Sequence, residues 1–160
     1  FTQNNDVQSF TEACESNNQR AGAHLISIEE VDGIDEARDF FGFGSEGRLL
    51  RVLRIRTADR TPIMVEENYF PAGEYGFLRK ADFEDTSLYD IIAASGHGDP
   101  MLTEPCALDL EKAPADLAPY LDVPVGEPLF CLVGRYFDAD GSAMYLGKQH
   151  IVGTRYTFRI

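Results

Sequence analysis

Arg54 and Arg56, followed by Glu66, are the side chains in this sequence best suited to recognising an anion. Guanidinium groups offer forked, charge-assisted donors that match a carboxylate or a phosphate. Alternate side chains of a strand share a face, so Arg54 and Arg56 point the same way as Leu50 and Val52. Arg48 to Thr57 has strand character, Ala58-Asp59-Arg60-Thr61 reads as a turn, and Pro62 to Phe70 reads as the return strand. In a hairpin centred on Asp59-Arg60, Glu66 lies opposite Arg54 and Met64 opposite Arg56. One carboxylate cannot neutralise two guanidinium groups, and sheltered surplus positive charge suits a phosphate or carboxylate ligand. The same pattern also fits a solvated face or a plain cross-strand Arg54–Glu66 ion pair.

Other candidates are weaker. Ser87 opens a helix whose free amide hydrogens suit an anion, although capping its own helix is the favoured reading. Ser9 and Thr11 carry the same ambiguity. Gly42-Phe43-Gly44-Ser45-Glu46-Gly47 has Gly-x-Gly-x-x-Gly spacing, but it follows a helix and precedes a strand, the reverse of the dinucleotide-binding context. No Gly-x-Ser-x-Gly elbow and no Walker-type phosphate loop occurs. His24, His97 and His150 are far apart, and Cys14, Cys106 and Cys131 form no Cys-x-x-Cys pair. The spacing therefore predicts no metal site, no cofactor and no disulfide, with the thiols reduced in a cytoplasm.

The elements that would hold these residues form one compact domain over residues 1–160, without repeats or long linkers. Ser9-Phe10-Thr11-Glu12 has the form of a capping box for a short helix to about Asn17. A strand is expected from His24 to Val31, a helix from Ile34 to Phe41, and a capped helix from Ser87 to Gly96. Met101 to Leu110 reads as one strand, and Pro114 to Leu121 as a helix opened by proline. Pro128 to Asp138 and Ala143 to Val152 read as a second hairpin, and Tyr156, Phe158 and Ile160 alternate once more. Hairpins with helices inserted between them predict an α+β fold with a mostly antiparallel sheet. The net charge is -13, with 27 acidic against 14 basic residues and no basic tract, so the chain does not grip DNA by itself. No apolar run approaches the length of a membrane span.

Arg54 to Glu66, Ser9 to Glu12, Thr86 to Tyr89, Phe137 to Gly141 and Gly153 to Phe158 together resemble the UTRA domain, the effector-binding domain of the HutC subfamily of GntR-type transcription regulators. Arg54-Ile55-Arg56-Thr57-Ala58-Asp59-Arg60-Thr61-Pro62-Ile63-Met64-Val65-Glu66 looks like its Arg-x-Arg-x-Ala-Asp-x-x-Pro-Ile-x-x-Glu segment. Ser9 to Glu12, Thr86-Ser87-Leu88-Tyr89, Phe137 to Gly141 and Gly153 to Phe158 are similar to further segments in the same order. The resemblance implies a fold like chorismate lyase, with a six-stranded antiparallel sheet. It also implies DNA binding through an N-terminal winged helix-turn-helix outside this chain, a homodimer, and a small anionic effector. The effector-binding residues it implies are Arg54, Arg56, Glu66 and Ser87, with Ser9, Phe10 and Thr11 lining the same cavity. Sugar-phosphate-responsive members carry a Pro-Ile-Glu-like step in the last hairpin. Here the step reads Ala143-Met144-Tyr145, so Tyr145 stands where a ligand-binding glutamate is expected. A regulatory domain without catalysis is the reading this favours; the alternative is an enzyme related to chorismate lyase.

Overall fold

The computed structural model describes residues 2–3 and 10–159, with side chains described from residue 10 onward. Ser9 and Ile160 therefore lie outside the described residues. The elements run β1 (Thr2–Gln3), α1 (Phe10–Ser16), β2 (Ala21–Val31), α2 (Asp35–Phe41), β3 (Leu49–Ala58) and β4 (Thr61–Pro71). They continue with α3 (Leu88–Ala94), β5 (Met101–Leu102), β6 (Ala107–Lys112), α4 (Ala118–Leu121), β7 (Pro128–Phe137), β8 (Ala143–Val152) and β9 (Thr157–Phe158). A seven-stranded antiparallel sheet has the order β2-β3-β4-β8-β7-β5, with β6 also pairing β7. Separately, β1 and β9 pair in parallel.

The expected six strands become seven because the predicted Met101–Leu110 strand is broken. Its two pieces, β5 and β6, pair with opposite ends of β7. Pro105, which has no N–H to donate, sits in the break. The helix expected from Pro114 is likewise shortened. Leu117 and Ala118 donate to the Pro114 carbonyl in a preceding turn, and α4 proper starts only at Ala118. Pro119 falls in the first turn of α4, where its missing N–H leaves no intrahelical hydrogen bond unmade.

Asp59 and Arg60 both have positive φ, 48° and 68°, the conformation of a two-residue turn that matches strand twist. Strict pairing outward from Ala58↔Thr61 would set Val65 opposite Arg54. Instead the partners pass from Thr57↔Pro62 to Arg56↔Met64, leaving Ile63 as a bulge. This single extra residue puts Glu66 opposite Arg54.

Each sheet face carries two apolar clusters. One face holds Leu50, Val52, Phe70 and Tyr145, covered by Leu88 and Ile92 of α3, together with Met64 and Ile151 under Phe10 and Cys14 of α1. The other holds Leu53, Val65, Leu129 and Val152 under Leu117, Ala118 and Leu121, and Leu49, Tyr69 and Leu146 under Ala37. Between the two clusters of each face, strand alternation leaves a polar row: Arg54, Arg56 and Glu66 on the first, Arg51 and Glu67 on the second.

Candidate functional site

The β3–β4 hairpin presents Arg54, Arg56 and Glu66 side by side, and all three are buried: 0%, 4% and 6% exposed. Arg54 donates from Nε and Nη2 to Glu66 Oε2 at 3.3 and 2.8 Å, and from Nη1 to the Thr86 carbonyl at 2.9 Å. Arg56 donates to the Gly22 carbonyl and to Thr11 Oγ1, each at 3.2 Å, and its Nη1 stands 3.6 Å from Glu66 Oε1. A Cβ at position 22 would lie 2.3 Å from Thr57 Oγ1, so a side chain there would require the Thr57 hydroxyl to move. Aromatic rings close the ends of the row. The Phe10 ring lies 4.6 Å from the Arg56 guanidinium, and the Phe83 ring 5.6 Å from that of Arg54.

The electrostatics follow from two cations sharing one anion. Burial alone would raise the Glu66 pKa, but Arg54 and then Arg56 outweigh it and hold the carboxyl below its usual range. Burial lowers the Arg56 pKa; Glu66 opposes the shift and Arg54 adds to it. The remaining acceptors, Gly22 O, Thr86 O and Thr11 Oγ1, are neutral. Among the described residues, the row therefore holds one positive charge more than it cancels.

The sequence-predicted residues converge here. Phe10 and Thr11 arrive on α1, and Ser87 follows Thr86, whose carbonyl Arg54 holds. Ser87 Oγ accepts from the Tyr89 amide at 3.2 Å, so in this structure it caps α3. Tyr145 is buried and packs 5.0 Å from the Phe70 ring and 4.2 Å from Tyr136, the latter stack almost parallel at 7°. Tyr136 is a neighbour that sequence reasoning missed. Room for its ring comes from the Gly134↔Gly147 pair, since a Cβ at either glycine would meet the ring at 3.1 to 3.2 Å. Paired glycines on adjacent strands were the available signal. The carbonyls of Gly22 and Thr86 had none, because any residue type carries one.

A cleft of about 380 Å³ opens at the hairpin tip, lined by Arg20, Ala21, Gly22, Thr57, Asp59, Arg60 and Asp85. Its two arginines face two aspartates, so it lacks the charge surplus of the buried row. The Gly-x-Gly-x-x-Gly segment turns carbonyls, not amides, toward a side chain. Arg38 donates to the carbonyls of Gly44 and Gly47 and to that of Asp32. That is the opposite of a phosphate cradle. Cys14, Cys106 and Cys131 are free thiols. No described helix is long and apolar enough to cross a membrane.

An antiparallel sheet with a few packed helices is the fold of the ligand-binding domains of GntR-type regulators. The chain belongs to the UTRA domain family, whose profile matches residues 16–157. It is 27% identical over 152 residues to the HTH-type transcriptional repressor NagR of Bacillus subtilis, covering 95% of this chain and 62% of that protein. PhnF from Mycobacterium smegmatis superposes with a TM-score of 0.86 at 26% identity, covering 99% of this chain and 69% of that one. The separately solved effector domain of PhnF superposes equally well, TM-score 0.86 at 24% identity, covering 99% of this chain and 97% of that domain.

Proposed function

We propose that this domain senses a small anionic metabolite, a sugar phosphate or a carboxylate, held on the row formed by Arg54, Arg56 and Glu66. The supporting observation is two buried guanidinium groups over a single carboxylate. Thr11 adds a hydroxyl beside Arg56, Ser87 adds one next to the carbonyl that Arg54 holds, and Tyr145 packs in the apolar cluster on the same face. The guanidinium groups are covered by Phe10 and by the segment carrying Thr86, so a ligand enters by displacing α1 or that segment. Such a displacement changes α1, at the N-terminal end of the domain, and this movement is the switch. A separate DNA-binding domain of the regulator responds to it. The domain works as a homodimer in the cytoplasm and catalyses nothing. Similarity to NagR, a transcriptional repressor, supports the regulatory reading.

Isothermal titration with a panel of sugar phosphates and small carboxylates tests the site. At least one binds, and Arg54→Lys and Arg56→Ala each weaken it by ~1.5–3 kcal/mol, the worth of a charge-assisted hydrogen bond. Unchanged affinity in both variants, with circular dichroism showing both folded, excludes this row as the site. Turnover of chorismate would replace the regulatory reading with an enzymatic one.

A further inference from the structure

The sheet also gathers, on the face opposite Arg54, three side chains that are far apart in sequence. Cys131 on β7 pairs directly with His150 on β8, and Glu111 reaches across from β6. One ligand-capable atom from each of the three lies within 4.8 Å of the other two. His150 is 7% exposed, and its Nδ1 stands 2.5 Å from Glu111 Oε1. Its other nitrogen, Nε2, is buried without a hydrogen-bond partner and faces Glu67 Oε1 at 3.9 Å. Glu67 is held in turn by Arg51, which donates to it from Nη2 at 2.5 Å and from Nε at 3.2 Å.

We propose that Glu111, Cys131 and His150 form a binding site for a zinc-class divalent ion, with a fourth position open to water beside the half-exposed Glu111. The donor set selects the ion. A thiolate and an imidazole suit a borderline-soft metal, whereas calcium and magnesium require oxygen ligands. One thiolate and one carboxylate also cancel the two charges of the ion. Metal–ligand lengths of about 2.0–2.3 Å hold tetrahedral ligand atoms roughly 3.3–3.8 Å apart. The Nδ1–Oε1 separation must therefore open and the widest separation close, by about 1 Å each. Glu111, on edge strand β6, has that freedom, while Cys131 and His150 stand on paired strands inside the sheet.

The proposal accounts for the unpartnered nitrogen. With the ion on Nδ1, the Nε2–H points at Glu67, and Arg51 fixes that carboxylate, which is how outer partners orient a metal-bound imidazole. The protons on Cys131 and His150 leave to solvent as the ion enters. Occupancy ties β6 to the body of the sheet.

Cobalt(II) added to the chelator-treated 160-residue chain is the test. One equivalent produces visible bands of tetrahedral cobalt and a near-ultraviolet thiolate-to-cobalt charge-transfer band. Zinc abolishes both; calcium and magnesium leave them. Zinc alone raises the melting temperature, and a chelator reverses the rise. Cys131→Ser eliminates the charge-transfer band, while Cys14→Ser and Cys106→Ser keep it. Glu67→Gln weakens zinc binding by about 10–100-fold without removing a ligand. A folded parent chain that shows no charge-transfer band overturns the proposal before any variant is made. Persistence of the band in Cys131→Ser overturns it as well.

Discussion

Glu66 and Glu67 are neighbours in the chain, and each faces an arginine of β3, yet they sit in opposite electrostatic situations. Glu66 meets Arg54 and Arg56 together on a face closed by Phe10 and Phe83. Glu67 meets Arg51 and, at 3.9 Å, the Nε2 of His150, with Glu111 further along the same face. The first row carries surplus positive charge with no access to water. The second is balanced, and the Arg51 side chain keeps 23% of its surface exposed. Identical residue types one position apart therefore end in different fields, one under two arginines and the other between an arginine and a histidine. The cause is strand alternation, which sends successive side chains to opposite sides.

The most disruptive way to break this contrast is Glu66→Ala. It leaves two buried guanidinium groups unpaired and costs about 3–5 kcal/mol, read as a lower urea midpoint. Glu67→Ala should cost less, about 1–3 kcal/mol, because Arg51 can turn part of its charge to water. Equal losses in the two variants would refute the distinction between the faces.

Acid sharpens the comparison. The Glu66 pKa is lower in the folded chain than in the unfolded one, so the unfolded chain takes up its proton first. The stabilisation from Glu66 is present above the unfolded carboxyl pKa and disappears as pH falls through the lower folded value. Urea melts from neutral pH down to about pH 3 should show the parent losing this part of its stability. Glu66→Gln, which has no proton to gain there, should show a shallower decline. Parallel pH profiles would contradict the depressed pKa.

The smallest effect is expected at Ser87→Ala. Removing the hydroxyl that accepts the Tyr89 amide costs about 1 kcal/mol of thermal stability. If Ser87 also touches the effector, affinity falls in addition, and titration separates that loss from the capping loss.

Much of the architecture was readable from residue order. The Asp59-Arg60 turn, the Ser87 cap, the left-handed Gly42 that ends α2 at φ 65°, and the β7–β8 hairpin all follow from local chemistry. Other features were not readable because they depend on partners distant in sequence. The hairpin centre by itself sets Val65, not Glu66, against Arg54; the Ile63 bulge makes the observed pair. Pro105 marks Met101–Leu110 for a break, but which part of β7 each piece pairs with depends on where β7 offers partners. The spacing of Glu111, Cys131 and His150 likewise gave no hint of proximity, because β6 and β8 meet only through β7.

Residue order alone determined that Arg54 and Arg56 share a face, because a period of two acts over a few residues; the bulge at Ile63 is what set Glu66 opposite Arg54. Only the tertiary structure decided that this face is closed to water, since the closure comes from Phe10 of α1 and from Phe83 and Thr86 ahead of α3. Burial is a property of what packs from elsewhere in the chain, and it turns an ordinary pair of strand arginines into an unbalanced buried charge.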